Sequence, residues 1–268
     1  MKTSNLNQFL LLMTILMVFF GSCIKENTNE LEPETLKIFN FLSQNFGFDK
    51  RDLKVDNEYV VAESDIIFPI KDFWEKYGNI DHQDKHSLQE RIHRRHPYLV
   101  YVPFKSTKYI NIYYSSELHI NWVAALTDAV KEWNKLNGSI KFNTPKKTTG
   151  VYPVGTIGVF PQVLKNEHGS SYSPDNKGNP GSSIFLNASI NKVNNPKLKK
   201  LVVAHELGHT IGFKHTDTND WYKIVTREFS CDNGSDSKSV MCSGDKNGVE
   251  WIGFSFCDKK AFYSLYPL

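Results

Sequence analysis

The sequence contains no long run of lysine or arginine and no internal repeat. Its formal net charge is only +3, spread along the chain, so we expect no nucleic-acid partner. It also lacks an uninterrupted apolar stretch of the ~20 residues that a membrane-spanning helix needs. Hydrophobic residues nevertheless make up 40% of the 268 residues, enough for one medium domain or a domain with a smaller companion.

The amino terminus has the composition of an export signal. Lys2 is followed by an almost wholly apolar stretch from Phe9 to Phe20, and then by Gly21 and Ser22. A positive start, a short apolar stretch and small residues before a break are typical of a secretory signal peptide. We therefore interpret residues 1–22 as a signal peptide.

The residue after this signal is a cysteine. Cys23, directly after Gly-Ser, resembles the lipidated cysteine in the lipobox of bacterial lipoproteins. The resemblance implies a lipid on Cys23, a polar tether over residues 23–34, and attachment to a bacterial membrane on the periplasmic or cell-surface side. An ordinary cleaved signal and an uncleaved anchor are the alternatives.

The other cysteines lie near the carboxyl end, at Cys231, Cys242 and Cys257. Outside the cytoplasm they can form one disulfide, and the sequence leaves all three pairings open. The nearby stretch from Asp232 to Asp236 is a candidate calcium site.

Residues 35–98 are predicted to form a small region before the main domain. Its apolar pattern predicts a short helix near Phe39 and two short strands around the acidic turn Glu63-Ser64-Asp65. Four histidines follow between His82 and His96, but their spacing matches no compact set of metal ligands. We interpret that stretch as a charged linker.

The main domain is predicted to span residues 99–268. Hydrophobic periodicity predicts one helix and several short strands. The strands are placed near 110–112, 140–142, 156–160 and 184–186, and the helix near 123–133. The stretch 166–181, rich in Gly, Ser, Asn and Pro, is predicted to be a loop outside the core.

A second helix carries the chemistry. Asn195-Pro196 is a typical helix start, and the residues that follow are apolar on most faces, which predicts a buried helix. His205 and His209 are four residues apart and so lie on one face, where two imidazoles can bind one Zn²⁺ at ~2.0–2.1 Å. Glu206 points sideways from the pair, well placed to act as a general base.

A third histidine follows the end of this helix. Gly212 can adopt the left-handed conformation that ends a helix, and the chain can then return His215 toward the metal. Three protein ligands leave one position open, as in catalytic rather than structural zinc sites. The alternatives are three core histidines bonded to the backbone, or a structural zinc with Asp217 or a cysteine as fourth ligand.

The segment from His205 to His215, HELGHTIGFKH, is similar to the long zinc signature of the metzincin metallopeptidases. Its continuation Thr216-Asp217 is most like the bacterial branch called HEIGH metallopeptidases. The resemblance implies an α+β, metzincin-like fold. In it a twisted mixed β-sheet lies over a buried zinc-binding helix, and an irregular C-terminal subdomain ends in a helix.

The resemblance also implies roles for residues around the zinc. Ser239-Val240-Met241 resembles the Met-turn, in which Met241 would form an apolar floor below the histidines. Asp217 would orient His215 or its loop, with a solvated carboxylate as the alternative. Some metzincins have a tyrosine two residues after the methionine, where this sequence has Ser243.

The implied function is a monomeric zinc-dependent endopeptidase that cleaves extended polypeptides with one catalytic zinc and Glu206 as general base. The predicted strand 184–186 would form the upper edge of the cleft, where a peptide can pair as an added strand. A catalytically silent metal-binding surface lipoprotein and a metal-delivery protein are the alternatives.

Residues 35–98 are also a candidate propeptide. In related zymogens a cysteine or an acidic side chain of the propeptide occupies the open position of the zinc. A cysteine in this role is excluded, because no cysteine lies between Cys23 and Cys231. An aspartate in this role remains possible, and Asp65 is the candidate. The alternative is a supporting subdomain that is kept in the mature protein.

Overall fold

The computed structural model describes residues 31–78, 106–217, 236–243 and 250–268, together with the backbone of 93–95 and 223–224. The chain divides into two compact units, Met1–Pro33 and Glu34–Leu268. The predicted signal and Cys23 lie outside the described residues. None of the helices in the described ranges is both long and apolar enough to cross a membrane.

Short strands and five α-helices make up the described structure. The helices are α1 (Pro33–Phe41), α2 (Phe73–Tyr77), α3 (Ile120–Lys135), α4 (Pro196–Thr210) and α5 (Phe256–Leu265). The strands are β1 (Leu53–Asp56), β2 (Tyr59–Ala62), β3 (Ile66–Pro69), β4 (His93–Arg95), β5 (Lys108–Ile110), β6 (Ile112–Ser115), β7 (Ile140–Phe142), β8 (Lys146–Thr148), β9 (Ile157–Gln162), β10 (Gly169–Tyr172), β11 (Ser183–Asn187), β12 (Phe213–Lys214) and β13 (Lys223–Ile224).

Residues 34–78, called the N-terminal region below, enclose a hydrophobic cluster of their own. The cluster is aromatic at its centre, where Phe46, Phe68 and Phe73 are fully buried. The Phe46 and Phe68 rings pack edge to face, with their centroids 5.8 Å apart. The short helix and the two strands predicted here are confirmed.

One eight-stranded sheet joins this region to the rest of Glu34–Leu268. Its strand order is β1-β2-β3-β10-β11-β9-β6-β8. The strands β11, β9, β6 and β8 run parallel, whereas β10 is antiparallel to β11. The strand β3 of the N-terminal region pairs parallel to β10.

The sheet corrects two sequence predictions. The stretch 166–181 contains β10 and is therefore not wholly a loop; its small residues let the strand lie against α4, as the tight space at Gly169 demonstrates. The predicted cleft edge at 184–186 is also wrong, because β11 is hydrogen-bonded on both sides. Within residues 106–217, β10 is the strand that faces the N-terminal region.

The helices α3 and α4 form the second layer against this sheet. Both contribute to one large buried cluster with residues of β6, β9 and β11. At its centre the Trp133 indole donates a hydrogen bond to the Ala204 carbonyl at 3.0 Å, which ties α3 to α4. The final helix, α5, starts with a capping box formed by Ser255 and Asp258. A mixed sheet over a buried helix, with a helix at the chain end, confirms the predicted fold class.

Candidate metal centre

The helix α4 carries two of the three predicted zinc histidines. It begins as predicted, with the Asn195 side chain accepting a hydrogen bond from the Leu198 amide at 2.9 Å. From Leu201 to Thr210 every residue is buried. His205 and His209 therefore face the protein interior, where a polar side chain needs a partner.

The third histidine returns through a sharp turn. The helix ends at Thr210, and Gly212 has φ 101°, a conformation that favours glycine. The short strand β12 then leads to His215. The three Nε2 atoms of this His triad (His205, His209, His215) lie 3.0, 3.0 and 3.2 Å apart.

The other ring nitrogens determine what the triad can bind. His205 Nδ1 lies 2.7 Å from the Val240 carbonyl and His209 Nδ1 lies 2.8 Å from the Phe213 carbonyl. A carbonyl can only accept, so both Nδ1 atoms must carry the proton. Their Nε2 lone pairs consequently converge on each other, which is favourable only around a cation.

A carboxylate of the N-terminal region completes the group. Asp65 Oδ2 lies 3.2 Å from His205 Nε2 and 3.1 Å from His215 Nε2, and its Oδ1 lies 3.5 Å from His209 Nε2. Tetrahedral zinc ligands at ~2.0–2.1 Å from the metal would be about 3.3 Å apart, so three imidazoles and one carboxylate fit zinc. Asp65 Oδ1 is buried and has no hydrogen-bond partner among the described residues. A bound cation would supply the missing partner of this oxygen.

The Asp65 carboxyl is held in its charged form. Where no cation is bound, the imidazoles themselves must take up protons beside this carboxyl. Burial would then raise the pKa of Asp65, but the charges of His215 and His209 and hydrogen bonds from the imidazoles hold that pKa well below its ordinary value. The fourth donor is thus Asp65, the candidate switch residue, and neither Asp217 nor a cysteine takes that position within the described residues.

Glu206 lies beside the triad but outside the donor group. Its buried carboxylate accepts a hydrogen bond from Ser171 Oγ at 2.7 Å. Gly169, two residues earlier on β10, has no room for a side chain, because a Cβ there would lie 2.8 Å from Glu206 Oε1. The strand β10 therefore fixes the direction of the Glu206 carboxylate.

Met241 packs against the underside of α4. It is buried, and a Cβ on Gly208 would overlap its thioether. The turn that carries it is held by Asp258, whose carboxylate accepts hydrogen bonds from Ser239 Oγ at 2.6 Å and the Val240 amide at 3.0 Å. Because the Val240 carbonyl also contacts His205, this turn helps to orient a triad histidine.

Asp217 connects the loop after His215 to Ser243 by hydrogen bonds. Its carboxylate accepts hydrogen bonds from the Ser243 amide at 2.8 Å and the Ser243 hydroxyl at 2.5 Å. Burial raises the pKa of Asp217, but the bonds from Ser243 outweigh that effect and lower it. Asp217 therefore joins the loop after His215 to the turn after Met241, and Ser243, at the position of the metzincin tyrosine, is its partner.

The sequence itself matches a family with this site. A family model described as Dual-action HEIGH metallo-peptidase matches residues 95–243, just over half of the chain. The chain belongs to this family. It is a metzincin-type zinc metalloprotease, as its zinc signature indicated.

Solved structures that match part of this chain include two with a low TM-score. Myroilysin is 15% identical, with 63% of this chain and 89% of that chain covered at a TM-score of 0.38. High choriolytic enzyme 1, a hatching enzyme zinc-protease from Oryzias latipes, is 18% identical, with 63% and 94% covered at a TM-score of 0.38. A comparison with curated proteins found no match. The assignment of this metallopeptidase depends on the family match.

The structure tests the predictions about the cysteines and the calcium site near the carboxyl end only in part. Cys257 of this HEIGH metallopeptidase is disulfide-bonded, whereas Cys242 is not, which removes the pairings that include Cys242. Cys231 and the candidate calcium residues 232–235 lie outside the described residues.

Sequence reasoning missed one residue that contacts Glu206. The Gly, Ser, Asn and Pro content of 166–181 predicts a loop around Ser171, and the four residues Gly-Ser-Ser-Tyr are too few to show strand periodicity. Only the tertiary structure identifies Ser171. A strand that packs as closely against a helix as β10 does against α4 requires small side chains.

Proposed function

We propose that this protein is a zinc-dependent endopeptidase in which the His triad holds the metal and Glu206 is the general base. The observation that carries the proposal is the convergence of three Nε2 atoms, with protons placed on the outer nitrogens of two rings. The neighbouring Glu206 carboxylate, oriented by Ser171, supports the assignment of the base.

The chemistry divides between the metal and Glu206. When bound there, zinc supplies a Lewis acid that lowers the pKa of a water molecule and polarises a peptide carbonyl. Glu206 takes the proton of the attacking water and delivers it to the leaving amine. The buried surroundings of Glu206 strengthen these interactions, because they exclude bulk water.

We propose further that the described form is latent. Asp65 occupies the position beside the three histidines that a substrate carbonyl needs. In addition, β3 pairs with β10, the strand along which an extended peptide would otherwise add. Residues 35–98 are on this view a propeptide, and activity requires their removal.

The test uses the chain from residue 23 onward, with bound zinc counted before and after limited proteolysis. After proteolysis we expect one zinc per chain and cleavage of casein. The variant Glu206→Ala should keep the zinc and lose activity by about 10²-fold to 10⁴-fold, the usual contribution of a general base. If the zinc-loaded wild type cleaves nothing before or after proteolysis, the proposal fails and the silent binding lipoprotein replaces it.

We also propose that the protein is exported and lipid-anchored at Cys23. The support is the amino-terminal sequence, together with a disulfide at Cys257, since disulfides persist outside the cytoplasm. Expression in a bacterial host with radiolabelled palmitate should label the wild type. A Cys23→Ser variant that is labelled equally would contradict the proposal.

A further inference from the structure

The lysine immediately before His215 is buried beneath the N-terminal region. The Lys214 side chain is 1% exposed, and its ammonium donates a hydrogen bond to the Phe46 carbonyl at 2.9 Å. The same ammonium lies 3.8 Å from the centre of the Phe48 ring. Both partners belong to the hydrophobic core of the N-terminal region rather than to the peptidase core.

A carboxylate lies between this lysine and a triad histidine. Glu63 Oε1 lies 4.0 Å from Lys214 Nζ, and Glu63 Oε2 accepts a hydrogen bond from the His215 backbone amide at 3.3 Å. The Glu63 side chain is 3% exposed. The His215 ring also contacts this carboxylate, with its Nδ1 3.4 Å from Glu63 Oε2. An ammonium, a backbone N–H and an imidazole thus surround one buried carboxylate directly beside the metal centre.

The turn that presents Glu63 is strained. Glu63 and Ser64 have φ values of 51° and 77°, in the left-handed region that side chains rarely adopt. Such strain persists only where surrounding contacts compensate for it. Here the contacts are those of two carboxylates, Glu63 with Lys214 and His215, and Asp65 with the His triad.

We propose that Lys214 and the His215 backbone amide form a carboxylate-binding subsite, which selects substrates with a glutamate or aspartate beside the scissile bond. The inference rests on the proposed function, in which the N-terminal region leaves the cleft. The contacts of Lys214 with Phe46, Phe48 and Glu63 are then broken, and its ammonium borders the space in which a substrate binds.

The two donors, the Lys214 ammonium and the His215 amide, explain why the substrate side chain must be acidic. An ammonium and an amide N–H are both donors, and a carboxylate can accept from both at once. A neutral amide of the same shape brings no charge to compensate a partly desolvated ammonium, so its binding is weaker. The difference in charge between a carboxylate and an amide discriminates between substrates more strongly than a difference in apolar contact would.

The test folds the full chain first, removes the N-terminal region by limited proteolysis, and measures kcat/KM on paired peptides. The two peptides of a pair differ only by Glu or Gln beside the scissile bond, and each pair is made once with a C-terminal amide and once with a free C-terminal carboxylate. We expect the Glu peptide to be preferred by about 10-fold or more, the value of a charge-assisted hydrogen bond. Lys214→Met should remove the preference, while Lys197→Met, an exposed lysine of α4, should retain it.

A second measurement does not depend on catalysis. A synthetic peptide of residues 59–69 should bind the released, zinc-loaded domain more tightly with Glu63 than with Glu63→Gln, by about 10-fold. The same two peptides should bind the Lys214→Met domain equally, because the partner of the carboxylate is gone.

Three results would overturn the proposal. The first is activity without a Glu preference, and the second is a preference unchanged in Lys214→Met; either would leave the proposed peptidase function intact. The third is a preference that follows a free C-terminal carboxylate instead of the internal side chain, which would indicate an exopeptidase subsite. Failure of the peptidase function has a different signature, because zinc-loaded protein would then cleave neither casein nor any peptide.

Discussion

The hydroxyl of Ser171 lies 2.7 Å from Oε2 of Glu206, so a residue of β10 orients the carboxylate of the helix α4. A carboxylate has several directions available around its terminal torsion, and one hydrogen bond selects among them. The strand that binds β3 in the described form therefore also directs the proposed general base.

Replacing Ser171 with alanine should slow the chemical step. We expect kcat of the proteolytically released enzyme to fall by roughly 10-fold, the effect of one hydrogen bond to a charged group, with KM nearly unchanged. Steady-state kinetics on one peptide would measure it. The matched control is Ser183→Ala, another buried serine, which pairs with Tyr152 at 3.1 Å and should leave kcat unaltered. A full kcat in Ser171→Ala would mean that Glu206 is oriented by other contacts.

Replacing Gly169 with alanine should displace the same carboxylate. A Cβ at this position would lie 2.8 Å from Glu206 Oε1 and 3.0 Å from Val202 Cγ1, so the Glu206 side chain must move. Small misplacements of a catalytic group are costly, and we expect a loss of about 10-fold to 10²-fold in kcat. Zinc content, measured in parallel, should stay at the wild-type value.

The control for this glycine is Gly150→Ala, where a Cβ meets no atom within 4 Å. That variant should retain wild-type kinetics. Equal activity of Gly169→Ala and Gly150→Ala would show that β10 yields to the added methyl group.

Replacing Gly208 with alanine should lower the free energy of unfolding despite the better helix propensity of alanine. The added Cβ would overlap the Met241 thioether, and overpacking costs more than the ~1 kcal/mol that alanine contributes in a helix. We expect a net loss of about 1–2 kcal/mol, measured by denaturant unfolding. In a double-mutant cycle with Met241→Ala the two changes should be coupled; strict additivity would rule out the contact.

Replacing Asp65 with alanine should weaken latency. The full-length variant loses the carboxylate that faces the three histidines, whereas the core of the N-terminal region is unchanged. We expect its activity before proteolysis to rise roughly 10-fold to 100-fold above that of the full-length wild type. The comparison is made with Asp56→Ala, an exposed aspartate of β1, which should remain as inactive as the wild type. An Asp65→Ala chain that stays silent until cleaved would indicate that the pairing of β3 with β10 is sufficient for inhibition.

The sequence by itself determined the parts of this site that are local. The spacing of His205 and His209, the proposed base between them and the glycine before His215 are all placed by the period of one helix and its end. Capping chemistry predicted the start of α4 for the same reason, since a cap is a contact over three residues.

Only the tertiary structure decided the partners that are distant along the chain. Asp65 is 140 residues from His205, and Ser171 is 35 residues from Glu206. No periodicity connects such pairs, because β3 and β10 are brought to α4 by sheet pairing. The sequence did not predict β10 for a related reason. Its close packing against α4 requires glycine and serine, the residues that are otherwise typical of loops.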